Sequence, residues 1–407
     1  MSPLEIGAVS VVALLGLIAV RVPIGMALAA VSIVGLVLLR GPSAALAAIG
    51  QLPHAFASSW QLAALPLFLL MGSVAYHSGL TASLYDAARL WMGRLPGGLA
   101  VASNFACAGF AAASGSSLAT AAAMGRLCIP EMLRYGYQPA LATGVVASAG
   151  TLGAMIPPSV AFILYGWFTE TPVGDLLIAG ILPGVLTACL YAVMIVIRCS
   201  LDRSLAPPTR IEVTWRMRLE ILAHVWPLPL LIAGVIGSIY GGIATATEAA
   251  ALGALLAFLI AAVQRRLTWD TFRRSVVEAV ETTGSIFFVA FGAIMLTRFF
   301  GLAGVPNTLG SLVTEMGVDP LMIVLMATAI YLVLGMFLDP IGIMLLTLPI
   351  LTPILEAAQI NMIWFGVLVV KFLEIGLITP PVGMNVYVIK SVVGDTVPLP
   401  TIFRGVI

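Results

Sequence analysis

Apolar residues run in long blocks over almost the whole chain, separated by short polar breaks. A helix that crosses a bilayer needs about 20 mostly apolar residues. The blocks at 6–20, 24–39, 62–80, 174–197, 226–240, 247–263 and 284–300 are read as spans. The first two are short, with one tilted, broken span as the alternative. Residues 41–61 are Ala-rich and are placed at the interface, and 264–281 reads as a charged amphipathic segment. Residues 81–95 set apolar positions at helical spacing against Asp86, Arg89 and Arg94, the pattern of an interfacial arm helix. A second arm-like helix is read over 305–317.

The remaining blocks are interrupted from within. AAASGSSLAT sits in the middle of 96–137 and LGMFLDP inside 320–359, so each block is read as a re-entrant helical hairpin. GTLGAMIPPS interrupts 140–168 and GLITPPVGMN interrupts 362–392, so each is read as a broken helix. Lipid supplies no water to satisfy loose backbone, so such breaks must be buried in protein or line a polar cavity. Paired breaks in corresponding halves of a chain point to the binding site of a secondary transporter.

The halves align at nearly one shift. Met92-Gly93 matches Met316-Gly317 at 224, while Gly153 to Pro158 matches Gly376 to Pro381, and Pro130 matches Pro353, at 223. Five crossings and one hairpin precede the connector, an odd number of crossings that inverts the second half. The domains are therefore a first inverted repeat over 1–197, a connector over 198–222 and a second inverted repeat over 223–407. In the first half a helix follows Ile181-Leu182-Pro183, whereas the chain stops at Arg404 to Ile407, so the second repeat is read as lacking its last helix.

Charge orients this plan. One side's loops hold Arg21, Arg89, Arg94, Arg134, five arginines from Arg198 to Arg218, Arg265, Arg266, Arg273, Arg274, Lys390 and Arg404; the other side's hold Arg40 alone. The positive-inside rule places the first set, with the connector, in the cytoplasm and the N-terminus in the periplasm. Composition agrees: 61% of residues are apolar and 9% charged, against roughly 25% charged in soluble proteins. The fold class is an all-α polytopic membrane protein. The N-terminus lacks a basic n-region and reads as a span rather than a cleaved signal.

Several chemistries drop out. No basic stripe interleaved with aromatics suggests nucleic acid, and no GxxxxGK[ST] suggests a nucleotide. Cys107, Cys128, Cys189 and Cys199 show no CxxC spacing and read as small apolar packers. His54, His77 and His224 form no zinc cluster. No His or paired Asp stands beside residues 114–117, which argues against an intramembrane protease and against an enzyme altogether.

What the breaks offer is oxygen. Ser114, Ser116, Ser117 and Thr120 bring hydroxyls to the first tip, Gly115 allows its turn, and carbonyls of 150–157 lie opposite. Hard cations prefer such ligands, and half-helix N-termini present positive dipole ends to an anion. Ionisable residues inside spans are functional candidates by default. Asp339 could serve an ion or a backbone cap. Arg298 is the candidate for an anionic substrate group, with snorkelling to the interface as its alternative. Lys371 and Glu374, three apart, are expected to pair. Glu248 reads as a helix N-terminal carboxylate, and Arg126 has no assigned role.

The stretches PLFLLMG, GRLPGGLA, SGSSLATAAAMG, GTLGAMIPPS, AGILPG, ATATEAAALG, LGMFLDPIGIMLLTLPI and EIGLITPPVGMNVYV cover nearly the whole chain in order. They resemble the large membrane subunit of a tripartite ATP-independent periplasmic (TRAP) transporter. Two positions depart from the family pattern: Ala246 replaces a proline, and Arg126 stands where a small residue is more usual. The resemblance implies an elevator-type importer with sodium as coupling ion and no other cofactor. It implies a small four-helix membrane subunit, a periplasmic substrate-binding protein, and a place in the bacterial inner membrane. By that resemblance one sodium site maps to Ser114, Gly115, Ser116 and Ser117 with Gly150, Gly153 and Pro157. The other maps to Gly335 and Asp339 with Gly376 and Thr379. The substrate, a small carboxylate, is expected between the tips, near Ser116, Pro340, Pro381 and Asn385, with Arg298 contributing. A stand-alone carboxylate symporter is the same-fold rival, and a passive channel the other.

Overall fold

The computed structural model describes residues 2–80, 82–207 and 214–407. Thr81, at the start of the first predicted arm, and 208–213, in the predicted connector, lie outside them. The described residues are organised as helices. The first three are α1 (Pro3–Ala19), α2 (Ile24–Arg40) and α3 (Pro42–Ala57). Ser2 and Glu5 form a capping box that starts α1. Because α1 and α2 are separate helices packed on each other, the broken-span alternative falls. A short 3₁₀ turn leads into α4 (Ala64–His77), followed by α5 (Ala82–Met92), the helix predicted as the first arm.

The first predicted hairpin is α6 (Gly98–Ser114) and α7 (Ser117–Arg134), joined through Gly115 and Ser116. Gly115 takes a φ of +63°, a left-handed conformation that glycine adopts without a Cβ clash. Next come α8 (Pro139–Gly150), α9 (Leu152–Met155) and α10 (Val160–Phe168), the first broken helix, bent by 40° at its break. The long α11 (Val173–Leu201) follows.

Within the predicted connector 198–222, α11 runs to Leu201 and α12 (Trp215–Val225) occupies the far end. Thr214 caps α12 by accepting a bond from the Met217 amide. Then come α13 (Pro227–Tyr240) and α14 (Ala246–Val263). From Trp269 onward, the predicted amphipathic segment 264–281 and span 284–300 are one helix, α15 (Trp269–Ala303). Nothing between them breaks a helix: Thr282 and Thr283 are tolerated, and Gly284 alone does not stop a long helix.

The helix predicted as the second arm is α16 (Val305–Met316); the second predicted hairpin is α17 (Pro320–Gly335) and α18 (Pro340–Ala357). The second broken helix is α19 (Met362–Gly376) and α20 (Met384–Val393), and α21 (Leu399–Val406) packs across α8. Both breaks carry a cis Pro–Pro bond, at Pro157–Pro158 and Pro380–Pro381.

Among the described residues, five stretches are long and apolar enough to cross a membrane alone: Trp60–His77, Val173–Leu201, Ala246–Val263, Trp269–Ala303 and Pro340–Ala357. Two bent pairs, α8–α9 with α10 and α12 with α13, pass together. Large apolar side chains face outward, Val12 at 71% and Leu182 at 77% exposure, where lipid rather than water makes exposure favourable. The protein is a multi-pass membrane protein. Its core divides into three clusters: one around α6 to α9 with α20 and α21, one around α4, α10, α14 and α17 to α19, and one joining α1 to α3 with α15.

Candidate functional site

The first tip is held by its own hydroxyls. Ser116 caps α7 by accepting from the Ala119 amide at 3.4 Å, since helix starts leave amides that need an acceptor. Thr120 donates to the Ser116 carbonyl at 2.8 Å, and its Oγ1 lies 2.9 Å from Ser114 Oγ. The Val160 amide reaches the Gly115 carbonyl at 3.4 Å, joining the tip to α10.

Glycines make that seating possible. A Cβ added at Gly115 would lie 2.7 Å from the Pro158 carbonyl oxygen, and one at Gly153 would lie 2.5 Å from the Ser116 carbonyl oxygen. The tip's backbone therefore rests directly on the first break. Gly72 of α4 approaches from the other side, where an added Cβ would meet the Ala113 carbonyl oxygen at 2.6 Å.

Asn385 of α20 completes this cluster. It is fully buried, and its amide nitrogen donates to the Ala147 carbonyl at 3.2 Å and lies against Gly150. Its Oδ1 is buried with no hydrogen-bond partner. Buried acceptors normally find a donor, so an orphaned carbonyl oxygen is available to a hard cation.

The second tip repeats the close approach. An added Cβ at Gly335 would lie 2.9 Å from Gly376 Cα, and one at Gly376 would lie 2.6 Å from Gly335 Cα, so the two backbones touch. Asp339 caps α18, accepting from the Gly342 amide at 2.7 Å, and the Thr379 hydroxyl donates to the Ile375 carbonyl at 2.6 Å. Of the two roles read for Asp339, the cap is the one it fills here. Pro381 is exposed and Pro340 half-buried in this region.

Lys371 and Glu374 do not form the expected ion pair. Lys371 donates to Thr187 Oγ1 at 3.1 Å and sits over the Tyr191 ring at 5.9 Å. Glu374, 1% exposed, accepts from the Ser117 hydroxyl at 2.7 Å. Three-residue spacing put both on one helix, but each turns to a nearer partner on another. Glu248 meets expectation: with Thr245 it forms the capping box that starts α14.

A cavity of about 350 Å³ opens beside the first tip, between the hairpin, α4 and α15. Ser114 and Ser116 line its inner end, with Ala119, Ala122, Ala123 and Arg126 continuing along α7. Opposite stand Ser73, Tyr76 and Glu278. Ser73 donates to Glu278 Oε2 at 2.5 Å, and His77 Nε2 lies 2.7 Å from the same oxygen. Arg298 is not in this cavity; it lines a separate cleft with Leu36, Gln51 and Leu302. The sequence reading passed over Arg126 and Glu278 as site residues. For Arg126 the signal was present, because 116, 119, 123 and 126 share one helical face. For Glu278 there was none, since it arrives from a distant helix.

A family model described as tripartite ATP-independent periplasmic transporter, DctM component, matches residues 11–407. The chain belongs to this family. Among TRAP large permeases it is 38% identical over 336 residues to the C4-dicarboxylate permease DctM of Pseudomonas aeruginosa, covering 82% of this chain and 78% of that one. It is 31% identical over 394 residues to the sialic acid permease SiaM of Vibrio cholerae, covering 97% and 91%. Among solved structures, the YdaH transporter of Alcanivorax borkumensis shares the fold with a TM-score of 0.57 at 12% identity, over 84% of this chain and 80% of that one. As a TRAP large permease the chain is a transport protein. Its family pairs such permeases with a small membrane subunit and a periplasmic binding protein.

Proposed function

We propose that this chain is the large permease subunit of a sodium-coupled secondary transporter that imports a small organic acid across the bacterial inner membrane. The observation that carries the reading is the first tip, seated on the first break beside a cavity. Sodium is held at Ser114 to Ser117 with Gly150, Gly153, Pro157 and the spare Asn385 Oδ1. A second sodium is held by backbone oxygens around Gly335, Gly376 and Thr379, with Asp339 keeping α18 capped.

The chemistry follows from charge. The hydroxyl and carbonyl oxygens of the first tip carry no net charge, so a cation bound there brings its positive charge to that tip. The half-helix N-terminus of α7 adds to it, and an anionic substrate is attracted. Substrate and sodium then stabilise each other, which is the reciprocal coupling that symport requires. The two halves act as inverted repeats, the hairpins as re-entrant elements. The arms α5 and α16 connect a mobile body to its scaffold, and the body moves as an elevator. A binding protein delivers the acid from the periplasm, and a small four-helix subunit braces the scaffold. C4-dicarboxylate and sialic acid permeases, to which the chain is similar, both carry organic acids.

Thermal unfolding of the purified chain against sodium, with potassium and choline at equal ionic strength, tests the ion sites. Binding to the folded state alone stabilises by about 2.7 kcal/mol at a hundredfold excess over Kd. A saturable, sodium-selective rise weakened by Ser116→Ala is expected. A flat response from folded protein sinks the sodium assignment.

A further inference from the structure

Arg126 is an exposed cation without a partner among the described residues. Among the described residues it makes no ion pair, hydrogen bond or ring contact. It lines the same cavity as Ser114 and Ser116. The carboxylate across the cavity, Glu278, is engaged by Ser73 and His77 instead.

The spacing is suggestive of a two-ended ligand. Ser116 and Arg126 are ten residues apart, about 15 Å along a helix. Helical side chains lean toward the N-terminus, so the guanidinium reaches back toward the tip and shortens the gap. Between them the lining of α7 is alanine, which leaves room and offers no hydrogen bonds. A volume of about 350 Å³ holds a small organic acid; a water takes ~30 Å³ of liquid volume. One end of the cavity thus presents hydroxyls and a helix start, the middle is apolar, and the far end presents a planar cation.

We propose that Arg126 is a specificity-determining residue that receives a second acidic group of the substrate, so that this permease selects dianions over monoanions. The inference rests on the carboxylate-import reading above. The first carboxylate is held at the tip, the carbon chain lies on the alanine stripe, and the second carboxylate takes the guanidinium fork. Arginine suits this role because its fork binds a carboxylate bidentately, which a lysine cannot reproduce.

Titration calorimetry of the purified full-length chain at saturating sodium tests it, with succinate and glutarate against butyrate and pentanoate. Wild type is expected to bind the dianions at least about tenfold tighter than the monoanions, the worth of one charged hydrogen-bonded pair. Arg126→Gln abolishes that preference while leaving monoanion affinity and sodium stabilisation in place, and Arg126→Lys restores part of it. Equal binding of both classes by wild type, or a preference that survives Arg126→Gln, overturns the proposal. So does an equal loss of both classes in Arg126→Gln that still responds to sodium, since Arg126 would then serve the shared carboxylate. If wild type binds none of the four, the carboxylate reading itself falls and takes this inference with it.

Discussion

Ser117 donates to Glu374 Oε2 at 2.7 Å, and this bond ties the first tip to the second broken helix. The two residues are 257 apart in sequence. Glu374 lies one residue from Ile375, whose carbonyl takes the Thr379 hydroxyl, so one short stretch of α19 touches the first tip and the second break. Coupling between the tips through this bond is an expectation that the Ser117 variant tests.

Replacing Ser117 with alanine leaves a buried carboxyl without its donor. An unsatisfied buried acceptor costs about 1–3 kcal/mol. Ser117→Ala is expected to lower the melting temperature and to reduce the cooperativity of sodium stabilisation. An unchanged melting curve would falsify the link.

The contact of Gly335 with Gly376 leaves no room for a methyl group on either residue. Backbone must shift to admit one, and overpacking of this kind costs about 1–3 kcal/mol. Gly376→Ala should lose uptake in proteoliposomes containing the binding protein and small subunit, while the expressed chain still inserts. Wild-type uptake by this variant would show that the tips do not need to touch.

Asn385 separates ion binding from packing. Asn385→Ala removes both the spare Oδ1 and the bond to Ala147. Thermal stability without sodium should fall by about 1 kcal/mol, the worth of one hydrogen bond. The sodium-dependent increment should fall further, and a full increment in the variant would remove Asn385 from the ion site.

Thr245→Ala provides a contrast. Thr245 and Glu248 cap α14, and losing a cap costs about 1 kcal/mol. Stability should drop by that amount with sodium affinity intact, as measured by the same titration. A change in sodium affinity would give Glu248 a functional role after all.

Arg298→Gln tests the candidate that the structure places elsewhere. Its cleft shares no lining residue with the cavity at the tip. Substrate affinity in this variant should match wild type, and a tenfold loss by calorimetry would return Arg298 to the site.

Sequence alone settled what local physics controls. A chain so apolar must be helical in a bilayer, and glycine, serine and paired prolines inside apolar blocks must interrupt those helices. The interruptions within all four blocks, and the helices at Ala82–Met92 and Val305–Met316, were therefore legible, to within a few residues at their ends. The same local rules gave the Glu248 cap. They failed where a polar stretch did not break a helix: the threonines before Gly284 were read as a boundary, and α15 runs through them.

Tertiary structure decided the partners. Lys371 and Glu374 share a helix, yet packing brought Thr187 to one and Ser117 to the other. Glu278 reached the cavity wall only because α15 packs on α4. Arg298 lay in a span like a substrate residue, but its helix turns it toward α3. Spacing along a chain fixes which residues share a helix face, because the helical repeat is local. Which face meets which depends on how some twenty helices fill space together, and that is a property of the whole molecule.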